Sequence, residues 1–540
     1  MIYPGVPSFD ERLITVTFRN EDTYQRLAMQ GDGESFHSGY ERAAERLLAQ
    51  VQEVETDYPN HIDGKPRLSE RQFHDLSPGD EEIVVGLFQN GTADDADEAV
   101  RSSREAFRTW SREDWGERVH IFEKAADLMR RSKYELAAAI TLDNGKNRYE
   151  AMADVDEALD FIAYYCGEMR RSNGFERVSD PPYPEEEVTV SLRPYGAWAV
   201  ICPFNFPLAI TVGMTTGALL TGNTVVMKPS STAPLPVQMF YEIMYRAGIP
   251  DGVINMVSGP GSEVGGTLAH HPLIDGVVFT GSLQVGLDIM TSQPWRQRPV
   301  IAEMGSKNPI IVTQEADLDA AARGVIASAF GYSGQKCSAC SRLYAHETIF
   351  EPLLDKMVEL ADGLVVGDPF ERDTFMGPVI TKTALDNYLR WSEAARKDGR
   401  VLTGGERADG GDLARGHYAR PTIVTGLPEE HELVRRELFV PILCAQRYST
   451  LPEALQRANA TEFGLTAGIF TQNRVEMKYF FDNIEFGVVY ANRQRGGSTG
   501  AMVGGQAFTG WKSSGSTGKG TGSVHYLQQF LREQSRTVCR

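Results

Sequence analysis

Cysteine is scarce in this chain, six in 540 residues, and no second pair repeats the spacing of Cys337 and Cys340. That excludes a disulfide-stapled fold and fits a reducing compartment, so a cytoplasmic location is expected. Basic residues are outnumbered, 54 against 73 acidic ones for a net charge of −19, which argues against nucleic acid or an anionic membrane as partner. The stretch Met1–Arg12 lacks both the basic start and the apolar core of a signal peptide. Only Gly196–Met227 is uncharged for long enough to mimic a membrane span. It carries Pro203, Pro207, Asn205 and Asn223, which are costly in lipid, and divides better into strand, loop, helix and strand. No histidine stands at ligand spacing from the cysteines, so no metal is expected. What remains, 41% hydrophobic and 24% charged residues, is an ordinary globular protein long enough for two or three domains.

Residues 1 to about 95 are mixed, with a helical pattern over Tyr40–Val54 and a turn-rich stretch over Asp57–Asp80. Helical stripes follow at Val119, Phe122, Ala125, Ala126 and Met129, and at Leu159, Ile162 and Cys166, and read as core packing. Asp180–Pro184 is a stiff linker, and the alternation of Val188, Val190 and Leu192 predicts a half-exposed strand, either an interface element or the edge of a local hairpin. From Ala197 to Glu303 short buried strands alternate with helices, the rhythm of a doubly wound parallel sheet that binds ligands at the carboxyl ends of its strands. A second α/β unit begins at Pro309, passes through a helix over Asp317–Phe330 to Cys337, and continues to Gly487–Tyr490. The tail Gly496–Gly522 has the composition of a linker, but Phe508, Trp511, Lys512 and Lys519 within it point to an ordered binding loop.

Cys337 lies at the end of a glycine-punctuated turn, Gly331–Gly334, with Lys336 beside it and the hydroxyls of Ser338 and Ser341 behind. Such surroundings lower a thiol pKa and leave the sulfur reachable, as a nucleophile requires. The C-x-x-C formed with Cys340 could instead be a dithiol redox pair, or half a zinc site were there a second pair or a histidine at ligand spacing to complete it, and taken alone Cys337 reads as readily as a buried structural thiol. Two glycine turns join strand to helix: Gly259-Pro260-Gly261-Ser262-Glu263-Val264-Gly265, one residue longer than the usual dinucleotide fingerprint, and Gly281-Ser282 up to Gly286. Their succession in neighbouring units predicts a nucleotide crevice. Glu303 ends a strand, and Asn205 sits in a proline-bounded loop; alone, one reads as a solvated carboxylate and the other as a turn cap.

In combination these pieces resemble the aldehyde dehydrogenase family. Pro203-Phe204-Asn205-Phe206-Pro207, Lys228-Pro229-Ser230, Phe279-Thr280-Gly281-Ser282, Glu303–Pro309, Gly334–Cys337 and Glu437–Pro441 occur in the family's order, with Glu303 34 residues and Asn205 132 residues before Cys337. The resemblance covers about residue 95 to the C-terminus. It implies an α/β, aldehyde-dehydrogenase-like fold with a Rossmann-type cofactor domain, an α/β catalytic domain and a small β oligomerisation element. The division it implies is 1–176 (extension and first part of the cofactor domain), 177–194 (bridging strand element), 195–305 (cofactor domain), 306–515 (catalytic domain) and 516–540 (end of the anchor loop and a strand, near Ser535–Val538, paired with the bridging element).

By the same resemblance Cys337 attacks the aldehyde, Asn205 and the Cys337 N–H hold the oxyanion, and Glu303 is the general base for thioester hydrolysis. Lys228, Ser230, Ser231, Gly261, Gly265, Gly281, Ser282, Glu437 and Phe439 are the expected NAD contacts. Ser231 stands where NAD-preferring members often carry glutamate, which leaves NADP possible. Val440 replaces a usual glycine. The run Lys336–Arg342 and the tail Ser498–Phe508 are similar to the branch acting on L-glutamate γ-semialdehyde. There Phe206 and Phe508 are expected to wall the substrate, and Lys336, Ser338, Gly515 and Ser516 to contact it, the hydroxyl and backbone donors gripping a carboxylate. A homodimer or larger assembly is expected, with a small aldehyde as substrate. The competing readings are another semialdehyde or aliphatic aldehyde, a cofactor-independent thiol hydrolase, and a non-catalytic paralogue.

Overall fold

The computed structural model describes residues 18–291, 298–494 and 502–540. Two seven-stranded sheets carry the architecture. In the first, β1 (Asn60–Ile62) and β2 (Lys65–Arg67) form a hairpin at one edge, followed in the chain by β3 (Ala197–Ile201), β4 (Thr224–Lys228), β5 (Ile254–Met256), β6 (Gly276–Thr280) and β7 (Val300–Glu303). Their spatial order is β7-β6-β3-β4-β5-β1-β2, and the five strands from β7 to β5 are parallel. The chain runs outward from β3 in one direction, then resumes on β3's other side with β6. The carboxyl ends of β3 and β6 therefore border a topological switch point, where open α/β sheets bind ligands. Strands β3 and β4 are buried nearly throughout, which explains why they read as continuous apolar runs instead of alternating ones.

The second sheet contains β8 (Asn308–Val312), β9 (Cys340–His346), β10 (Arg400–Thr403), β11 (Thr422–Thr425), β12 (Ile442–Tyr448), β13 (Thr466–Phe470) and β14 (Val488–Ala491), in the order β10-β11-β12-β9-β8-β13-β14. Only β10 runs antiparallel to its neighbour. The helix Leu318–Phe330 is capped by Asp317, whose carboxylate accepts from the N–H groups of Asp319 and Ala320, and it packs an alanine-rich face against this sheet. It ends at Gly331, as the sequence predicted.

After β14 the chain returns to the first sheet. Ser514 O accepts from Met304 N at 2.8 Å, the Ser514 hydroxyl donates to Gly305 O, and Phe530 packs its ring on the buried Trp198 at 4.7 Å. Truncating either ring costs about 3–5 kcal/mol, so this return is a strong tie between the C-terminus and β3. Because Gly515 bridges Glu303 and Ser516 bonds β7, the expected boundary at 515 falls inside a continuous contact.

The strand predicted around Val188–Leu192 spans Glu186–Pro194 and lies between Glu176–Ser179 and Leu531–Cys539, antiparallel to both. The local hairpin is present on one side, but the strand is not its edge: the C-terminal strand that the resemblance implied pairs with it on the other side and makes it the centre of three. The N-terminal helix is longer than its pattern suggested, Gly33–Glu53, with Tyr40 buried and donating to Thr141 Oγ1 at 2.7 Å. The uncharged stretch after Gly196 contains the buried helix Ala209–Leu220, and among the described residues no helix is long and apolar enough to cross a membrane. The N-terminal stretch read against a signal peptide, and Ser498–Ala501 of the tail motif, lie outside the described residues.

Candidate active site

A cavity of about 430 Å³ opens where the carboxyl ends of β3, β6 and β7 meet the amino ends of β9, β12 and β13. Eleven of the sequence-predicted residues line it: Asn205 and Phe206 after β3, Ser230 after β4, Gly281 and Ser282 after β6, Glu303 ending β7, Cys337 and Ser338 before β9, Glu437 and Phe439 before β12, and Phe508 from the tail.

The turn that delivers Cys337 is conformationally unusual. Tyr332, Ser333 and Gly334 have φ of 49°, 54° and 72°, three left-handed residues in succession. For the two non-glycines this costs on the order of 1–3 kcal/mol each and persists only where surroundings enforce it. They do: Tyr332 Oη donates to Asn144 O at 3.0 Å, Ser333 Oγ to Gly377 O at 2.7 Å, and Gln335 Oε1 accepts from Ile380 N at 2.8 Å. Asn205 Nδ2 donates to Gln335 O at 3.2 Å, which ties the loop after β3 to the nucleophile turn.

The Cys337 thiol is pushed up to about 12, first by desolvation, then by the nearby Glu437, Glu303 and Glu157, against a hydrogen bond from its own backbone N–H. This corrects the expectation drawn from Lys336. The left-handed turn swings that side chain out of the cavity to Glu150, where Nζ sits 2.8 Å from Oε1. Lys336 therefore neither activates the thiol nor lines the substrate space. Cys337 and Cys340 are both free thiols, and Cys340 is buried at the start of β9 with its sulfur toward Arg342 O. Among the described residues no group of three His, Cys, Asp or Glu side chains is placed to hold a metal ion.

Burial raises the Glu303 carboxyl to about 8; the Gly510 N–H opposes this, and Oε2 has no hydrogen-bond partner among the described residues. A carboxyl so placed is poised to exchange a proton near neutral pH. Glu437 is raised to about 7 by burial while accepting from Ser306 N at 2.8 Å. Phe206 is backed by Lys146, whose ammonium lies 3.6 Å from the ring centroid and 2.7 Å from Asp154 in a fully buried pair.

Lys228, Ser231, Gly261 and Gly265 gather beside the cavity instead of on its wall. Lys228 is lowered to about 8 by burial, donates to Pro229 O at 2.7 Å, and runs under Gly265, where an added Cβ would meet its chain at 3.4 Å. Ser231 Oγ donates to Gly259 O at 3.2 Å. A Cβ at Gly261 would meet nothing within 4 Å, so the turn leaves an open cradle at the first sheet's edge. The helix predicted from Ser262 starts there as a single π-turn, Gly261–Gly265.

Gly515 and Ser516 do not face the substrate space. Ser516 Oγ donates to Val300 O at 2.7 Å and accepts from Ala302 N at 2.8 Å, so its hydroxyl is consumed in fastening the tail to β7. Phe439 adopts φ 59° and Val440, in the glycine's place, is buried in the core beneath it. Sequence reasoning missed Glu157, Thr521 and Tyr526, which line the cavity. The signal for Glu157 was present: it stands at helical spacing from Asp154 and Phe161, on one face of Arg148–Arg171.

The sequence model of the aldehyde dehydrogenase family matches residues 66–535. The chain belongs to this family. Among its aldehyde dehydrogenase relatives, 1-pyrroline-5-carboxylate dehydrogenase of Geobacillus kaustophilus (strain HTA426) is 39% identical over 505 residues, 92% of this chain and 96% of the relative. Among solved structures, 1-pyrroline-5-carboxylate dehydrogenase from Thermus with bound NAD superposes with a TM-score of 0.88 at 36% identity, covering 97% of this chain and 99% of that one. Betaine aldehyde dehydrogenase from Staphylococcus aureus in complex with NAD+ gives 0.86 at 27% identity, covering 92% and 97%.

Proposed function

We propose that this aldehyde dehydrogenase oxidises L-glutamate γ-semialdehyde, the open form of 1-pyrroline-5-carboxylate, to L-glutamate with NAD. The observation that carries the reading is the convergence of Cys337, Asn205 and Glu303 on one cavity walled by Phe206 and Phe508, in a chain whose relatives bear that substrate's name over nine-tenths of its length. Cys337 gives up its proton and attacks the aldehyde carbon. The oxyanion forms between Asn205 Nδ2 and the Cys337 N–H, an arrangement in which one donor is worth about 10²–10³ in rate. Glu303, with its carboxyl near 8, is the base that accepts a proton from the water that hydrolyses the thioester on Cys337. Ser338 offers a short polar contact to the α-carboxylate.

The open cradle at Gly261, with Lys228 and Ser231 at its floor and Ser282 and Glu437 leading on to Cys337, fits a dinucleotide laid from the first sheet into the cavity. Lys228 and Ser231 would take the adenosine ribose, Ser282 the pyrophosphate and Glu437 the nicotinamide ribose. When bound, NAD supplies the hydride acceptor. The absence of a carboxylate at Ser231 leaves room for NADP as well. We read the sheet of Glu176–Ser179, Glu186–Pro194 and Leu531–Cys539, with Val178 and Val538 exposed, as an assembly element of a cytoplasmic homodimer or larger homo-oligomer.

The test is reduced-nicotinamide absorbance with L-glutamate γ-semialdehyde, compared with unsubstituted aliphatic aldehydes and with Cys337→Ala. Turnover that needs Cys337 and prefers the amino-acid aldehyde supports the reading. Equal turnover of simple aldehydes removes the substrate assignment, and no reduction with any aldehyde removes the redox assignment.

A further inference from the structure

Three consecutive carbonyls at the nucleophile are held from behind by two side chains outside the cavity. Asn308, the first residue of β8, directs Nδ2 at both Cys337 O (2.7 Å) and Ala339 O (2.9 Å). Thr466, the first residue of β13, donates its hydroxyl to Ser338 O at 3.2 Å. The two holders are themselves joined, because Thr466 N donates to Asn308 Oδ1 at 2.9 Å and the Ser306 hydroxyl donates to the same oxygen. Asn308 is 2% exposed and Thr466 1%, so water does not stand in for either. The β8–β9 register shifts between Asn308 and Pro309, and the following proline restricts Asn308 to extended backbone. That irregularity places the amide against the loop while β8 runs on regularly.

A peptide unit is planar, so a fixed carbonyl fixes the N–H of the residue that follows it: Thr466 on Ser338 O sets the Ala339 N–H, which donates to Lys336 O at 3.0 Å, and the Lys336 carbonyl shares its plane with the Cys337 N–H. We propose that Asn308, assisted by Thr466, is a positioning residue for the reaction. By holding the carbonyls of Cys337, Ser338 and Ala339, the pair keeps this stretch of backbone from rotating, and through the Ala339 N–H bond to Lys336 O it preserves the direction of the Cys337 N–H beside its own sulfur. The consequence is specific. Loss of the clamp impairs reactions that build an oxyanion at Cys337 and spares those that need only the thiolate.

Two probes separate these requirements. Iodoacetamide alkylates the thiolate by displacement at a saturated carbon, with iodide leaving, and uses no oxyanion donor. p-Nitrophenyl acetate acylates the same sulfur through a tetrahedral oxyanion and releases p-nitrophenolate. In Asn308→Ala, acylation and aldehyde turnover are expected to fall about 10²-fold, with alkylation within about threefold of wild type. Thr466→Val, which removes one hydroxyl at constant shape, is expected to lower acylation about tenfold, and Thr466→Ser to restore it. Parallel loss of alkylation and acylation, or retention of both, overturns the proposal, and the Thr466 series decides it if Asn308→Ala does not fold. The inference rests on Cys337 as nucleophile. A Cys337→Ala control that still acylates would refute that assignment and not the role of Asn308.

Discussion

Two glycine-punctuated turns flank the substrate space and owe their glycines to opposite physical needs. At Gly261 the glycine keeps a volume clear: an added Cβ would touch no protein atom within 4 Å, and the neighbouring Gly265 lies over Lys228. At Gly334 the glycine allows a backbone, not a space. Its φ is +72°, and a Cβ there would come within 2.8 Å of Val440 O. The first turn leaves open space, which the dinucleotide proposed above would use, and the second fixes a backbone. The same residue type in a sequence therefore marks clearance in one place and enforced geometry in another.

The contrast breaks most readily at the nucleophile end. Gly334→Ala is expected to destabilise the protein by about 1–2 kcal/mol from the left-handed backbone alone, with a further loss from the Val440 collision. Turnover should fall about 10²-fold through displacement of Cys337. Gly261→Ala is expected to leave thermal stability within about 0.5 kcal/mol of wild type while weakening NAD binding, read by quenching of protein fluorescence. If both substitutions destabilise equally, the distinction between the turns is wrong.

The pH dependence of stability sharpens the same comparison, since the two ends carry buried groups shifted in opposite senses. Glu303 is raised from 4.5 to about 8, so the folded state holds the extra proton between those values. Its contribution is fully present below 4.5 and is lost as pH rises through 8. Lys228 is lowered from 10.5 to about 8, so its contribution is present above 10.5 and is lost as pH falls through 8. Glu303→Gln should accordingly gain thermal midpoint over wild type as pH is raised from about 5 to about 9, whereas Lys228→Met should lose its advantage over wild type above about 8. Thermal melts across that range check both signs.

Much of this site was legible in the sequence because its chemistry follows strand ends. The alternation from Ala197 to Glu303 located β3 to β7, and Asn205, Gly281, Ser282 and Glu303 stand at or just after carboxyl ends, where such sheets bind ligands. Neighbours in sequence were a poorer guide. Lys336 adjoins Cys337 in the chain, but the left-handed turn before it sends the amine to Glu150. Ser516 has the right functional group for a carboxylate, yet β7 uses its hydroxyl twice. Asn308 stood only inside the motif Glu303–Pro309, and nothing in the one-dimensional pattern shows that its amide reaches the carbonyls of Cys337 and Ala339. Partners fixed by tertiary approach, such as Glu150 with Lys336 across 186 residues, leave no periodic signal.

Cys337 is proposed to carry the substrate through a thioester that Glu303 then opens. The most direct test is peptide mass analysis of Glu303→Gln after brief mixing with L-glutamate γ-semialdehyde and NAD. A γ-glutamyl group on the peptide containing Cys337, localised to that sulfur and absent from Cys337→Ala, is the predicted result. A γ-glutamyl group localised to Cys340 instead, or reduced nicotinamide produced with no acyl group accumulating on either thiol, would contradict it.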